Sequence, residues 1–285
     1  MKGIVVVKKS KQFVKDVETL KEAYCLEKRL AERIKTASRE ERKCMYNSTY
    51  AEYYEGFPNH PFIKRNEKRI EHSAFNQITY LKNFIRRDFT FLEVGSGTGG
   101  LSFEVAKYVK RVIMLDVSSE PTKGTKFPPN VQLIITNGVS VPLPENSVNL
   151  AYSNQLMEHL HPEDAVEQLK NIYKVLVDGG KYICVTPHVF TGPHDISRYF
   201  DNTATCLHIK EYTVTEVYNI FKSVGFRKVK FLMAFKQHQI TFPIFLVKTV
   251  ESILGKLPFY VTRQLANTLP LKLLCRIRLV GEKHT

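Results

Sequence analysis

The sequence predicts an α/β fold, a doubly wound and mostly parallel β-sheet carrying a helical N-terminal extension, and three observations lead to it. Between residues 89 and 187 short apolar runs alternate with helix-like stretches, the pattern of parallel strands joined by covering helices. The first run ends in a glycine-rich turn, FLEVGSGTGG over 91–100, where glycines permit positive φ and close backbone approach to a ligand. Asp116 closes the next run, 21 residues after Gly95.

The elements follow in order. Residues 11–44 are rich in Lys, Glu, Leu and Ala and lack glycine and proline, so one or two helices are expected there. YNSTYAEYYEGFPNHP over 46–61 reads as an aromatic, turn-rich segment, and 62–84 as helix again. Strands are expected over 89–94, 111–116, 131–136, 148–153 and 180–186, with helices over 101–109 and 165–176. A helix over 213–224 is stopped by Gly225, a strand follows over 227–235, and a last strand lies over 276–280. Apolar clusters among lysines and arginines fill 236–275, too interrupted to cross a membrane. They are expected to form helices packed on the domain, or else an interfacial or partner-binding surface. The expected division is a helical extension over 1–88 and a main domain over 89–285, with 236–275 as a helical insertion before the last strand.

With 285 residues and 43% hydrophobic content the chain can bury one sizeable core. Its net charge of +14 favours an anionic counterpart, whether nucleic acid, lipid headgroup, or an acidic glycan or nucleotide-linked substrate. Much of the excess falls early, at Lys8, Lys9, Lys11, Lys15, Lys64, Arg65, Lys68, Arg69, Arg86 and Arg87. Five scattered cysteines without a CxxC pair argue against a zinc ribbon or a dense disulfide framework, and a reducing cytoplasm is the expected home. No secretory leader is expected from MKGIVVVKKS, whose four branched apolar residues give way to lysines.

The glycine turn reads in two registers. Gly95, Gly97 and Gly100 fit a dinucleotide fingerprint, whereas Glu93, Gly95, Gly97 and Gly99 fit an acid followed by three alternating glycines. Asp116 can bond ribose hydroxyls in either case. Glu93 separates them: a carboxylate two residues before the first glycine suits a cofactor with an amino group and a sulfonium better than a pyrophosphate. On LEVGSGTG, LDVSSE, the ITNGVSVPLPENSVNLAYSNQLMEHL stretch and VLVDGGKYICVTP, residues 89 to about 235 with the last strand resemble the class I S-adenosylmethionine-dependent methyltransferases, especially the type 11-like group acting on small molecules. The resemblance implies a Rossmann-like seven-stranded sheet whose last, antiparallel strand sits beside the fifth. It implies S-adenosyl-L-methionine as cofactor, on Glu93, Gly95, Ser96, Gly97, Gly99, Asp116, Val117, Asn137, Gly138 and Asn154. Asn137 stands where the family usually has aspartate, and Asp178 where proline is common.

Methyl transfer is an in-line displacement, so the protein must align the acceptor and remove its proton. Histidines gather after the strand ends, His159 and His161 after the fourth and His188 and His194 after the fifth. His194 is a candidate base with Asp195 as its orienting carboxylate, Arg198 a candidate for an anionic substrate, and His159 a second catalytic candidate. Each has an alternative use in turns and caps. Glu158, His159 and His194 form a conceivable metal set, but their spacing does not establish one and no metal is expected. Tyr46, Tyr50, Tyr53, Tyr54 and Phe57 could cover a sulfonium or simply pack the extension. O-methylation of a small molecule or of a sugar or glycan-type acceptor is the expected activity. A nucleic-acid methyltransferase, or a cofactor-binding scaffold without catalysis, is the alternative. SNQL after the fourth strand lacks the Asn/Asp-Pro-Pro-aromatic motif used on planar amines, so a nucleic-acid partner is not expected. Residues 236–275 are the expected place of any peripheral membrane contact.

Overall fold

The computed structural model describes residues 11–57, 67–235 and 238–284. MKGIVVVKKS, with Lys8 and Lys9, lies outside the described residues, as do Lys64, Arg65 and the start of the helix expected over 62–84. Three helices precede the sheet: α1 (Lys11–Thr36), α2 (Arg39–Gly56) and α3 (Glu67–Leu81). Strands β1 (Thr90–Val94), β2 (Arg111–Asp116), β3 (Val131–Ile135), β4 (Val148–Asn154) and β5 (Leu176–Thr186) run parallel to one another. Helices α4 (Gly100–Val105) and α5 (Pro162–Val175) cover them, and α6 (Val214–Val224) follows, ended by Gly225 at φ 120°. Then come β6 (Lys228–Phe235), β7 (His238–Phe242), α7 (Ile244–Leu254), α8 (Phe259–Ala266), α9 (Leu271–Leu274) and β8 (Ile277–Glu282).

The strand order is β3-β2-β1-β4-β5-β8-β6-β7, with β8 antiparallel to both β5 and β6. The reversal of order between β1 and β4 leaves a crevice at the C-terminal strand ends, the usual ligand position in such sheets. Alternation along β1 and β2 feeds two cores: Leu92, Val94, Ile113 and Leu115 face α5 and α6, while Phe91, Val112 and Met114 pack with Ile78, Leu81, Leu101 and Val105 of α3 and α4.

Two expectations need correction. The sheet has eight strands, because the 236–275 segment opens with β7, whose Ile240, Thr241 and Phe242 pair with Met233, Leu232 and Phe231; β-branched and aromatic residues suit that pleated edge. The segment expected to turn from residue 46 instead continues α2 to Gly56. A Ser38–Glu41 capping box starts this helix, and Tyr46, Tyr50 and Tyr53 recur at helical spacing on its inner side.

α2 is clamped to the first turn of α5. Arg42 donates from Nε to Asp164 Oδ2 at 2.6 Å and from Nη2 to Oδ1 at 3.1 Å, and the Tyr46 hydroxyl donates to the same Oδ2 at 2.7 Å. Arg42 is 3% exposed and Asp164 is fully buried, so the pair is held by fork geometry in a low-dielectric setting. At the other end, Glu251 of α7 is buried and accepts the Val214 and Thr215 amides of α6 at 2.6 and 2.9 Å, and its Oε1 lies 2.7 Å from His188 Nε2.

Candidate active site

At the end of β1 the chain turns through Gly95, Gly97 and Gly99 at φ 73°, 51° and 75°, values that ordinary side chains resist. The Gly95 amide donates to Leu115 O at 2.7 Å, fastening the turn to β2. A Cβ at Gly99 would lie 2.7 Å from Met114 Cε, so packing demands glycine there. A Cβ at Gly97 would meet nothing within 4 Å, which makes that side of the turn an open cradle. The buried Ser96 hydroxyl beside it has no hydrogen-bond partner.

Two carboxylates flank the cradle. Glu93 is 6% exposed and accepts the Ser102 hydroxyl at 2.5 Å; burial pushes its pKa up to about 8. Asp116 accepts Gly97 N–H at 2.8 Å on one oxygen, and Val117 and Ser118 N–H at 2.7 and 3.2 Å on the other. Burial raises its pKa against those three bonds. A carboxylate has about four acceptor sites, so one stays available. Tyr50 and Tyr54 of α2 stand close enough for Asp116 to add to the burial that raises both phenols. The rest of the aromatic run is engaged elsewhere: Tyr53 donates to Glu27 at 2.9 Å, and Phe57 packs on Tyr53 with ring centroids 5.9 Å apart.

Around the rim, Val117 O accepts Asn47 Nδ2 at 2.8 Å, and Asn137 Oδ1 accepts the Val139 and Ser140 amides at 3.0 and 2.8 Å. Asn137 thus shapes its own turn and leaves its amide donors for another partner. Gly138 follows at φ 83°, and Asn154 ends β4 opposite Val185 of β5.

Beyond β4 and β5 the chain assembles a buried polar cluster. Glu158 is fully buried; its Oε2 accepts the Thr186 hydroxyl at 2.8 Å and its Oε1 has no partner, and burial lifts its pKa to about 7. His159 Nδ1 lies 3.0 Å from Leu207 O, and burial depresses its pKa to about 3. A carbonyl only accepts, so the ring proton sits on Nδ1 and Nε2 is free. His208 packs against His159 with centroids 4.9 Å apart at 89°, and its Nδ1 lies 2.9 Å from Glu211 Oε1. Burial opposes charge on His208, but Glu211, Glu158 and Asp195 outweigh it and raise its pKa. Tyr50 closes the cluster, 6.2 Å from His159 between centroids.

The His194–Asp195 pairing expected from sequence does not form. Asp195 turns inward, 8% exposed, and accepts the amides of Ser197, Cys206 and His208 at 3.0, 3.2 and 3.3 Å, so it ties down the loop. Successive residues of extended chain point apart, which separates the two side chains. His194 Nε2 instead lies 2.9 Å from Thr191 Oγ1, whose own proton goes to His188 O at 2.9 Å; Nε2 is therefore the donor and Nδ1 is free. Burial lowers the His194 pKa. Its backbone N–H donates to Glu211 Oε1 at 2.7 Å, joining it to the His208 carboxylate. Arg198 is exposed and gives two of its five donors to His194 O and Asp195 O, at 3.0 and 3.2 Å. The conceivable Glu158–His159–His194 set is likewise revised, since His208 takes the third place beside Glu158 and His159. Neither His208 nor Glu211 is singled out by the histidine-rich 187–201 segment, although the HIKE spacing just downstream carries both.

Residues 92–184 match a protein family described as a methyltransferase domain. Over residues 92–184 the chain is thus similar to methyltransferase domains. A probable S-adenosylmethionine-dependent methyltransferase of Mycolicibacterium smegmatis is 28% identical over 136 residues, 47% of this chain and 51% of the relative. The match thus spans about half of that relative's length. Among solved structures, the methyltransferase fold recurs in Haemonchus contortus phosphoethanolamine N-methyltransferase 1 with phosphoethanolamine and S-adenosylhomocysteine, at TM-score 0.56 and 15% identity, covering 87% of this chain and 50% of that one. It recurs in Burkholderia thailandensis 1,6-didemethyltoxoflavin-N1-methyltransferase with its acceptor and S-adenosylhomocysteine, at TM-score 0.54 and 14% identity, covering 87% and 92%. A complex of the Haloferax volcanii Trm112 methyltransferase activator with a methyltransferase gives TM-score 0.54 and 14% identity, covering 77% and 95%. At these identities the structures speak to the methyltransferase fold alone.

Proposed function

We propose that this chain transfers a methyl group from S-adenosyl-L-methionine to a hydroxyl of a small molecule or of a sugar or glycan-type acceptor. The carrying observation is the juxtaposition, at one sheet edge, of an open glycine cradle between two acids and a histidine cluster with unused ring nitrogens. The cradle fits the cofactor: Gly97 leaves space, Ser96 has an unused hydroxyl, and Asp116 keeps an acceptor site. In this reading Gly95, Ser96, Gly97, Gly99 and Glu93 hold the amino acid end, Asp116 and Val117 the ribose, Asn137 and Gly138 the adenine edge, and Asn154 the rim facing the acceptor. The cofactor supplies a methyl group on a sulfonium sulfur. His194 takes the acceptor proton on Nδ1, with Thr191 in place of Asp195 fixing its tautomer, while His159 and Tyr50 line the acceptor side. The enzyme would act in the cytoplasm, with the 236–275 segment as its peripheral membrane contact.

The cofactor assignment is tested by calorimetric titration with S-adenosylhomocysteine. Asp116→Ala should weaken binding by about 1–3 kcal/mol, through lost charge-assisted hydrogen bonds; unchanged affinity would reject the ribose role. Label transfer from methyl-labelled cofactor to a panel of sugars, lipid-linked glycans, hydroxylated metabolites and RNA tests the acceptor class, and methylation of RNA alone would reject it. His194→Ala should lower turnover by about 10²-fold or more without loss of cofactor affinity.

A further inference from the structure

The strongest unassigned feature is the buried group of Glu158, His159 and His208. One carboxylate oxygen of Glu158 and one ring nitrogen of each histidine lie within 4.8 Å of one another. We propose that these three side chains bind a divalent transition cation of the zinc class, which takes the acceptor hydroxyl as a further ligand. The inference rests on the methyl-transfer reading for its purpose, but not for its geometry.

Three observations carry it. Glu158 is fully buried, with Oε2 satisfied by Thr186 and Oε1 left without any partner. An orphaned carboxylate oxygen in a dry interior is costly, and a cation relieves that cost. Both histidines are held as metal-ligating histidines are held: each gives Nδ1–H to a fixed acceptor, Leu207 O at 3.0 Å and Glu211 Oε1 at 2.9 Å, which orients the ring and frees Nε2. Finally, Glu211 and Asp195 stand behind His208 as further buried carboxylates, so the pocket is charged in favour of a positive guest.

Two nitrogens and one oxygen select a borderline ion over magnesium, which prefers oxygen ligands. Ligands at about 2.0–2.2 Å from one ion lie no more than ~4.4 Å apart, so the three side chains need draw in by only a few tenths of an ångström. Three protein ligands leave a position open, and a hydroxyl placed there becomes a stronger acid. Its proton would pass to His194 Nδ1, and the alkoxide would remain on the ion until it takes the methyl group.

The test uses the full chain, dialysed against a chelator and titrated calorimetrically with zinc chloride and, separately, with magnesium chloride. One equivalent of zinc should bind, at least tenfold more tightly than magnesium, and the melting temperature should rise with zinc. Glu158→Gln and His208→Gln should each weaken zinc binding by tenfold or more; the wild-type melting shift stands as evidence should a variant fail to fold. Absence of one-equivalent zinc binding, a flat melting temperature, or undiminished binding in both variants overturns the proposal. S-adenosylhomocysteine titrated into the metal-free chain separates the two readings: binding without a zinc site leaves the methyltransferase reading intact and removes the cation, whereas zinc binding without S-adenosylhomocysteine binding removes the former and keeps the latter.

Discussion

Glu93 carries a stability cost, and under the proposed function it also binds the cofactor. Its pKa is pushed up to about 8 by burial, so the folded state takes up a proton that the unfolded chain would release near 4.5. With more protons bound folded than unfolded, stability falls as pH rises from about 4.5 through about 8. Glu93→Gln copies the protonated form. The ligand-free variant should therefore melt higher than wild type at pH 9, by the equivalent of on the order of 1–3 kcal/mol, and match it near pH 4. Its affinity for S-adenosylhomocysteine should fall, because the amide cannot pair with a cationic amine. Melting curves across pH, with and without ligand, check both halves; equal melting temperatures at pH 9 would contradict the burial argument. At this scale the sequence is legible where backbone conformation restricts the residue, as at Gly95, Gly97 and Gly99. It is least so where long-range packing chooses partners. Asp195 lies next to His194 in sequence, yet its carboxylate reaches the amides of Cys206 and His208, and the histidine carboxylate is Glu211.

Among the elements, α2 borders the candidate site. Its tyrosines overlook Asp116 and His159, and the Arg42–Asp164 pair fixes its distance from α5. Removing one partner leaves a buried charge uncompensated, so Arg42→Ala should destabilise the protein by about 3–5 kcal/mol. The double variant Arg42→Met/Asp164→Leu should recover much of that loss. Urea unfolding compares them, and a single variant as stable as wild type would show that the clamp bears no strain. The strands of the parallel half were readable to within a few residues, because their apolar runs sit between glycine, proline and polar turns. The α2 continuation was hidden by small polar residues and tyrosines, which the helix tolerates once Ser38 caps it and the tyrosine stripe finds a core. β7 was hidden because a short edge strand among apolar clusters looks the same as a helix segment until its partner is known.

For the molecule as a whole, 238–275 gives the surface its character. Ten of the fifteen exposed large apolar side chains among the described residues lie there, including Phe245 at 64%, Tyr260 at 60% and Leu269 at 72%. The basic residues beside them are Lys248, Lys256, Arg263 and Lys272, while the acid of the segment, Glu251, is turned inward. Among the described residues no helix is long and apolar enough to cross a membrane. Such a face suits an anionic lipid interface. Co-sedimentation with phosphatidylglycerol vesicles should exceed that with phosphatidylcholine and fall with salt, and Lys256→Glu with Arg263→Glu should each remove about 1 kcal/mol or more. Equal recovery on both lipids would count against the surface.

Glu251 gives that face a mechanical address. It leaves the helix that displays Phe245 and Leu246, crosses to His188 at the exit of β5, and holds the first amides of α6, so it grips both ends of the 189–213 stretch carrying His194, His208 and Glu211. The insertion is therefore tied through one carboxylate to both ends of that stretch.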